Sequence, residues 1–177
     1  GYTAITRITG GSYTNKKSGD NIFHGLGKAT SDNFEVSGGT FNKSIPAGYC
    51  ADGFIPTKNA DGTYGVKEGK YVAKVGSKNY ETLADAIRLA ANGKTIKLLA
   101  AVKEAVTVSD KKNITLDLNG FTLTNTEGEH TIVNNGTLTI MDSVGTGKVD
   151  NVTHGRGALV NNGTVILTGG TFERSAE

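Results

Sequence analysis

The chain has 177 residues, 25 of them glycine and only two proline, which excludes collagen-like and polyproline architectures and points to many tight turns around small and β-branched core residues. The net charge is +2 with Lys and Arg dispersed, so no concentrated basic face is offered to nucleic acid or anionic lipid. One cysteine, Cys50, excludes an internal disulfide framework and any multi-cysteine metal site, and no run reaches the roughly 20 apolar residues of a membrane span. The chain opens at Gly1 with neither a charged n-region nor an apolar h-region, so it is read as a piece of a longer protein whose export signal or wall anchor lies elsewhere.

In chain order, the first distinctive segment is Thr9-Gly10-Gly11-Ser12-Tyr13, which returns as Ser37-Gly38-Gly39-Thr40-Phe41. Phe54 to Val66 reads as two short strands about Asp61-Gly62, a hairpin signal. Tyr71 to Val75 and the stretch ending at Tyr80 flank Gly76-Ser77-Lys78-Asn79 and form a second expected hairpin. Glu81 to Ala91 is the one expected helix: Leu83, Ile87 and Ala90 recur at helical spacing, and Asn92-Gly93 supplies a stop.

Strands resume at Ile96 and Leu98. Apolar and polar residues alternate in Ile114-Thr115-Leu116-Asp117-Leu118 and again in Phe121-Thr122-Leu123-Thr124, with Asn119-Gly120 between them. Asn-Asn-Gly-Thr begins at Asn134 and again at Asn161, followed by Leu138 and Ile140 in one copy and Val165 and Leu167 in the other. The third glycine pair closes the series in Thr168-Gly169-Gly170-Thr171-Phe172.

These repeats decide between a hairpin sandwich and a solenoid. The interval from Asn134 to Asn161 nearly equals that from Gly10 to Gly38. Both are far longer than the roughly 8–12 residues between successive turns of a sandwich, and they fit whole coils. In a stack of coils Asn-Gly turns a corner, strands pair in parallel with the coil above, and like residues stand over like. The expected fold is therefore all-β, a parallel β-helix with hairpins and a short capping helix at about 81–91. A helix laid over a first coil shields its core and its unpaired edge. The boundary is placed near Glu68-Gly69-Lys70: residues 1–67 are expected to be the last coils and closing hairpin of one β-helix, and 70–177 the hairpin, helix and first coils of the next.

The run Tyr80-Glu81-Thr82-Leu83-Ala84-Asp85-Ala86-Ile87 with Gly93-Lys94-Thr95-Ile96-Lys97-Leu98-Leu99 resembles the opening of a β-helix repeat in large surface proteins of Gram-positive gut anaerobes. Leu116-Asp117-Leu118-Asn119-Gly120, Asn135 to Ser143 and the Gly-Gly-Thr-Phe copies resemble its coils, and Tyr49 to Phe54 with Asn59 to Tyr64 is similar to its terminating hairpin. The resemblance implies a right-handed parallel β-helix, an extracellular, cell-surface location and a structural or adhesive role, with neighbouring repeats, glycans or proteins as partners. It implies no catalytic, cofactor-binding or metal-binding residue. If the parent repeats with this unit, Gly169 and the Gly10 of the next unit are separated by one short coil, and head-to-tail continuation is expected.

An enzyme is not expected, although glycan-binding or polysaccharide-degrading β-helices are the alternative. Such a site needs grouped carboxylates. Asp117 lies in a strand, while Asp142-Ser143 and Asp150-Asn151 are placed in turns, where their oxygens accept backbone N–H bonds, and no pair is expected to stack. His24, His130 and His154 lack metal-ligand spacing and are read as exposed loop residues, and Cys50 as a packing residue. Gly25 to Thr30 fails as a phosphate loop because Ala29 replaces the required hydroxyl. Thr122-Leu123-Thr124 and Thr137-Leu138-Thr139 do not make a regular threonine array, and Tyr2, Tyr13, Phe23 and Phe34 are assigned to packing rather than to sugar stacking.

Overall fold

A computed structural model describes residues 5–16, 22–23 and 34–176. Tyr2, His24 and the Gly25–Thr30 segment lie outside the described residues. The chain divides into two compact units, Gly1–Lys70 and Tyr71–Glu177. Strands dominate and stack in parallel as a β-solenoid of about 6 turns, counted over the two units.

In the first unit β1 (Thr6–Tyr13) and β2 (Phe34–Phe41) pair in parallel, with Ile8 opposite Val36, Ser12 opposite Thr40 and Tyr13 opposite Phe41. A parallel bridge from Val36 to Cys50 starts a further turn. The expected hairpin forms from β3 (Phe54–Lys58) and β4 (Tyr64–Glu68), and β4 attaches antiparallel to β2 at Phe41 and Tyr64. The sheet order β1-β2-β4-β3 leaves β2 covered by the hairpin and β1 at the edge. Ile8, Val36, Phe41 and Ile45 form the core, with Phe23, Phe34 and Tyr49 packed against it.

The second unit opens with the hairpin of β5 (Ala73–Val75) and β6 (Lys78–Tyr80). Its turn is tighter than the expected Gly76-Ser77-Lys78-Asn79. Gly76-Ser77 alone reverses the chain, so Lys78 and Asn79 join the ladder opposite Val75 and Lys74. Helix α1 (Leu83–Leu89) is also shorter than 81–91. Thr82 is its N-cap, accepting from Asp85 N at 3.1 Å, and Ala90 is already extended. The chain leaves the helix there because Lys112 Nζ takes up the Arg88 and Ala90 carbonyls, while Asn92 bonds to Lys111 and Asn113.

The helix is anchored to the first coil by a carboxylate. Glu104 receives Leu83 N and Ala84 N on its two oxygens, each at 3.0 Å, satisfying two of the first-turn donors a helix leaves free. Leu83, Ala86 and Ile87 are thereby pressed into the core. Glu104→Ala is expected to lower the unfolding free energy by about 1–2 kcal/mol, the usual cost of losing such a cap, and to speed amide exchange first at Leu83 and Ala84.

Three parallel sheets follow. The first stacks β7 (Lys94–Leu98), β10 (Asn113–Asp117), β13 (Thr137–Met141) and β16 (Thr164–Leu167), with β5 closing it antiparallel against β7. The second stacks β8 (Val102–Lys103), β11 (Thr122–Thr124), β14 (Lys148–Asn151) and β17 (Thr171–Arg174). The third stacks β9 (Val106–Val108), β12 (Ile132–Asn134) and β15 (Leu159–Asn161).

Alternation and register together build the interior. Ile96, Leu116, Ile140 and Leu167 form one column, and Ile114, Leu138 and Val165 another. Val102, Leu123, Val149 and Phe172 do the same in the second sheet. The corner role of Asn119-Gly120 is visible in the backbone: φ is 49° and 80°, and the next strand starts a new face instead of doubling back. Coil lengths are unequal. The step from Ile96 to Leu116 is the shortest, that from Leu116 to Ile140 is longer, and that from Ile140 to Leu167 is longer still. The extra residues leave the register intact because they are added at corners.

A further placement differs from the sequence expectation. Asp150 and Asn151 lie within β14 and are buried, not in a turn, because Val149 beside them fills the core and draws the strand inward. Thr122 and Thr137 belong to different sheets, so their Thr-x-Thr runs never stand over each other and make no regular threonine array, as the sequence reading has it.

Candidate functional site

The polar residues of the solenoid fall into two groups: those that hold corners and those left at open edges. The corner group is fully engaged. Asn151 donates to Glu129 O, Thr131 Oγ1 and Gly157 O, and receives Thr153 N. Asn125, one coil earlier, donates to Thr126 O, Glu129 O and Thr153 Oγ1, and receives Val152 N. Asn134 donates to Asn161 Oδ1 at 2.7 Å, joining two coils. Such interior bonding is what burial of an amide demands.

The carboxylates are similarly occupied. Asp142 accepts Gly120 N and Val144 N on Oδ1 and Gly147 N on Oδ2. Burial pushes its carboxyl up, but the backbone N–H groups of Gly147, Gly120, Val144 and Gly145 outweigh this and hold it below the ordinary carboxylate range. Asp117 shows the same balance: burial raises it, while bonds from Ser143 and Asn119 and the Lys97 ammonium at 3.6 Å bring it down.

The pH consequence follows from that direction. Both folded values lie under the unfolded ones, so the stabilisation is complete above about pH 4 and is lost as pH falls through the folded values. The urea midpoint is expected to stay level between about pH 7 and 5 and to drop below about pH 4. Asp142→Asn should start from a lower midpoint at neutral pH and show a smaller acid drop, read from urea titrations followed by circular dichroism.

One carboxylate pair was missed from sequence. Asp150 and Glu173 are register partners in successive coils, although no regular carboxylate spacing announces them. Asp150 accepts Ser175 N on one oxygen and Ser175 Oγ on the other, and Glu173 pairs with Lys148 at 2.7 Å.

The remaining candidates are structural in their surroundings. His130 is half-buried rather than exposed, because its Nδ1 accepts Gly157 N at 2.9 Å, and His154 is exposed. Cys50 is half-buried, and burial pushes its thiol up, away from a reactive thiolate. Tyr13 stacks on Phe41 with centroids 5.0 Å apart, and Phe23 packs among Phe34, Phe41 and Tyr49. A cleft of about 410 Å³ beside the helix includes Tyr71, Tyr80, Glu81 and Asp85, but Lys78 Nζ stands over the Tyr80 ring at 5.2 Å. Among the described residues no group of three or more His, Cys, Asp or Glu is placed to hold a metal ion. No described helix is long and apolar enough to cross a membrane.

The open edges are the features left with unmet bonding capacity. In their sheets β15, β16 and β17 each have a partner on one side only among the described strands, and so does β1. The apolar column through Leu116 ends abruptly at the same place: Ile140 is 0% exposed, while Leu167 above it is 51% exposed. A terminal coil of this kind can pair its backbone with a further parallel strand and bury its last apolar layer beneath it.

Stacked parallel sheets, columns of like residues and glycine-turned corners define the chain as a β-solenoid repeat protein. No protein-family model matches it, and neither the curated proteins nor the solved structures include a significant match.

Proposed function

We propose that the chain is a structural and adhesive β-solenoid module of a repetitive bacterial cell-surface protein, working outside the cell as a spacer that continues head-to-tail with neighbouring units. The observation that carries the reading is the stack of parallel coils with columns of like residues, Ile96, Leu116 and Ile140 in one and Val102, Leu123 and Val149 in another, which is the build of a rigid spacer. The resemblance of residues 80–99 and 135–143 to surface-protein repeats supports the bacterial and extracellular setting. No catalysis is assigned, since the polar groups of the corners are engaged in holding the backbone. Partners are neighbouring repeats and, on the lateral faces, host or microbial glycans or proteins.

The competing reading is a glycan-binding or glycan-degrading β-helix, and Asp150 beside Glu173 is what favours it. Against it, Asp150 has both oxygens bonded to Ser175, and Lys148 neutralises Glu173. Antibody labelling of intact source cells tests the surface reading: strong labelling without permeabilisation is expected, and signal only after lysis would overturn it. A glycan array with a reducing-end hydrolase assay separates the two readings, turnover abolished by Asp150→Asn being the result that would favour the enzyme.

A further inference from the structure

We infer that Asn135 is a site of spontaneous deamidation, and that Asn162 in the next coil promotes the reaction by donating to its side-chain oxygen. The reaction needs neither enzyme nor partner, so it lies beyond the module reading and does not depend on it. In the sequence Asn92, Asn119, Asn135 and Asn162 each precede a glycine. Glycine has no side chain to screen its nitrogen, so each pair can in principle close a succinimide ring. The glycine nitrogen loses its proton to hydroxide and attacks the asparagine Cγ. The bond from Cγ to Nδ2 then breaks, and that nitrogen leaves as ammonia after taking a proton from water. A second water opens the ring at either carbonyl, giving aspartate or isoaspartate.

The nucleophile, the carbonyl under attack and the leaving nitrogen are held differently at the four corners. Gly93 N donates to Asn113 O and Gly120 N to Asp142 Oδ1, both at 2.7 Å. Asp142 also sets a negative charge beside a nitrogen that would itself have to become an anion. The leaving nitrogens there are tied as well, Asn92 Nδ2 to Lys111 O at 3.1 Å and Asn119 Nδ2 to Leu98 O at 2.9 Å. These two corners are locked.

Asn135 differs at every point. Gly136 N reaches a neutral acceptor, Asn134 Oδ1, at 3.2 Å. Asn135 Oδ1 receives Asn162 Nδ2 at 2.9 Å, which places a donor where negative charge gathers during the attack. The leaving Nδ2 of Asn135 has no partner among the described residues, and the side chain is exposed. Asn162 shows the reverse. Gly163 N is as loosely held, 3.3 Å from Asn161 Oδ1, but Asn162 Nδ2 is engaged by Asn135 and its Oδ1 has no donor among the described residues. The Asn135 pair is also fixed on its glycine side, since a methyl group on Gly136 would collide with the Ser109 and Lys112 carbonyl oxygens. Either product places a new carboxylate on this exposed corner.

The test ages the full chain in warm, mildly alkaline buffer and follows the mass gain of deamidation in digests, with fragmentation assigning each asparagine. Asn135 is expected to convert about tenfold faster or more than Asn92, Asn119 and Asn162, with the order vanishing in concentrated urea, where the corner bonds are gone. Asn162→Ala is expected to slow Asn135 several-fold while the circular dichroism spectrum stays unchanged. The inference is overturned if Asn135 converts no faster than Asn92, if Asn119 or Asn162 leads, if the same order persists in urea, or if Asn162→Ala leaves the Asn135 rate unchanged.

Discussion

Replacing Asn151 with alanine is expected to destabilise the second unit by about 3–4 kcal/mol, among the largest effects of any single polar substitution in the chain. The side chain is fully buried in β14. Its amide reaches Glu129 O at 3.0 Å, Thr131 Oγ1 at 3.1 Å and Gly157 O at 3.0 Å, and its oxygen receives Thr153 N at 3.0 Å. Alanine removes the partner but not the partners' need, and an unsatisfied buried group costs about 1–3 kcal/mol each. Water has little room to substitute, because Asn125 and Thr131 of the preceding coil are also buried there. The exposed Asn162, bonded to Asn135 Oδ1, is the control, with Asn162→Ala expected within about 0.5 kcal/mol of the parent. Urea unfolding followed by circular dichroism measures both; similar small shifts for the two variants would contradict the interior network.

The second large effect contrasts two residues of one column. Ile140→Ala should cost about 3–4 kcal/mol, because Ile140 is 0% exposed between Leu116 and Leu167 and its loss leaves a cavity as well as lost transfer energy. Leu167→Ala, one coil higher, should cost less than about 1.5 kcal/mol, since Leu167 is 51% exposed and has nothing above it among the described residues. Urea midpoints of the two variants read that difference directly.

Much of the architecture was legible because solenoid corners use few residue types. Asn119-Gly120, the two Asn-Asn-Gly-Thr copies and the glycine pairs each mark a bend, and the near-equal steps between copies point to coils. Alternation then chooses the buried face, and Leu138 does pair with Val165. Neighbourhood across coils is less legible. Unequal coil lengths hide which residues meet, so the sequence does not reveal Asp150 and Glu173 as register partners, and the Thr122 and Thr137 runs look comparable although they lie in different sheets. The ends of α1 escape for another reason: Glu104 and Lys112, distant in sequence, hold its two termini and decide where it stops. The burial of Asn151 at the end of β14 is likewise hidden, since a buried asparagine is recognisable only once its bonding partners are in place.

The closures on the two units are unlike in kind and opposite in position. The β3–β4 hairpin seals the first unit beyond β2, while β5–β6 and α1 seal the second before β7. A strand that runs against the ladder cannot carry the coil onward, so each unit keeps its own set of columns. Adding or removing one whole coil in the second unit is therefore expected to leave the pairing of Ile8 with Val36 in the first untouched.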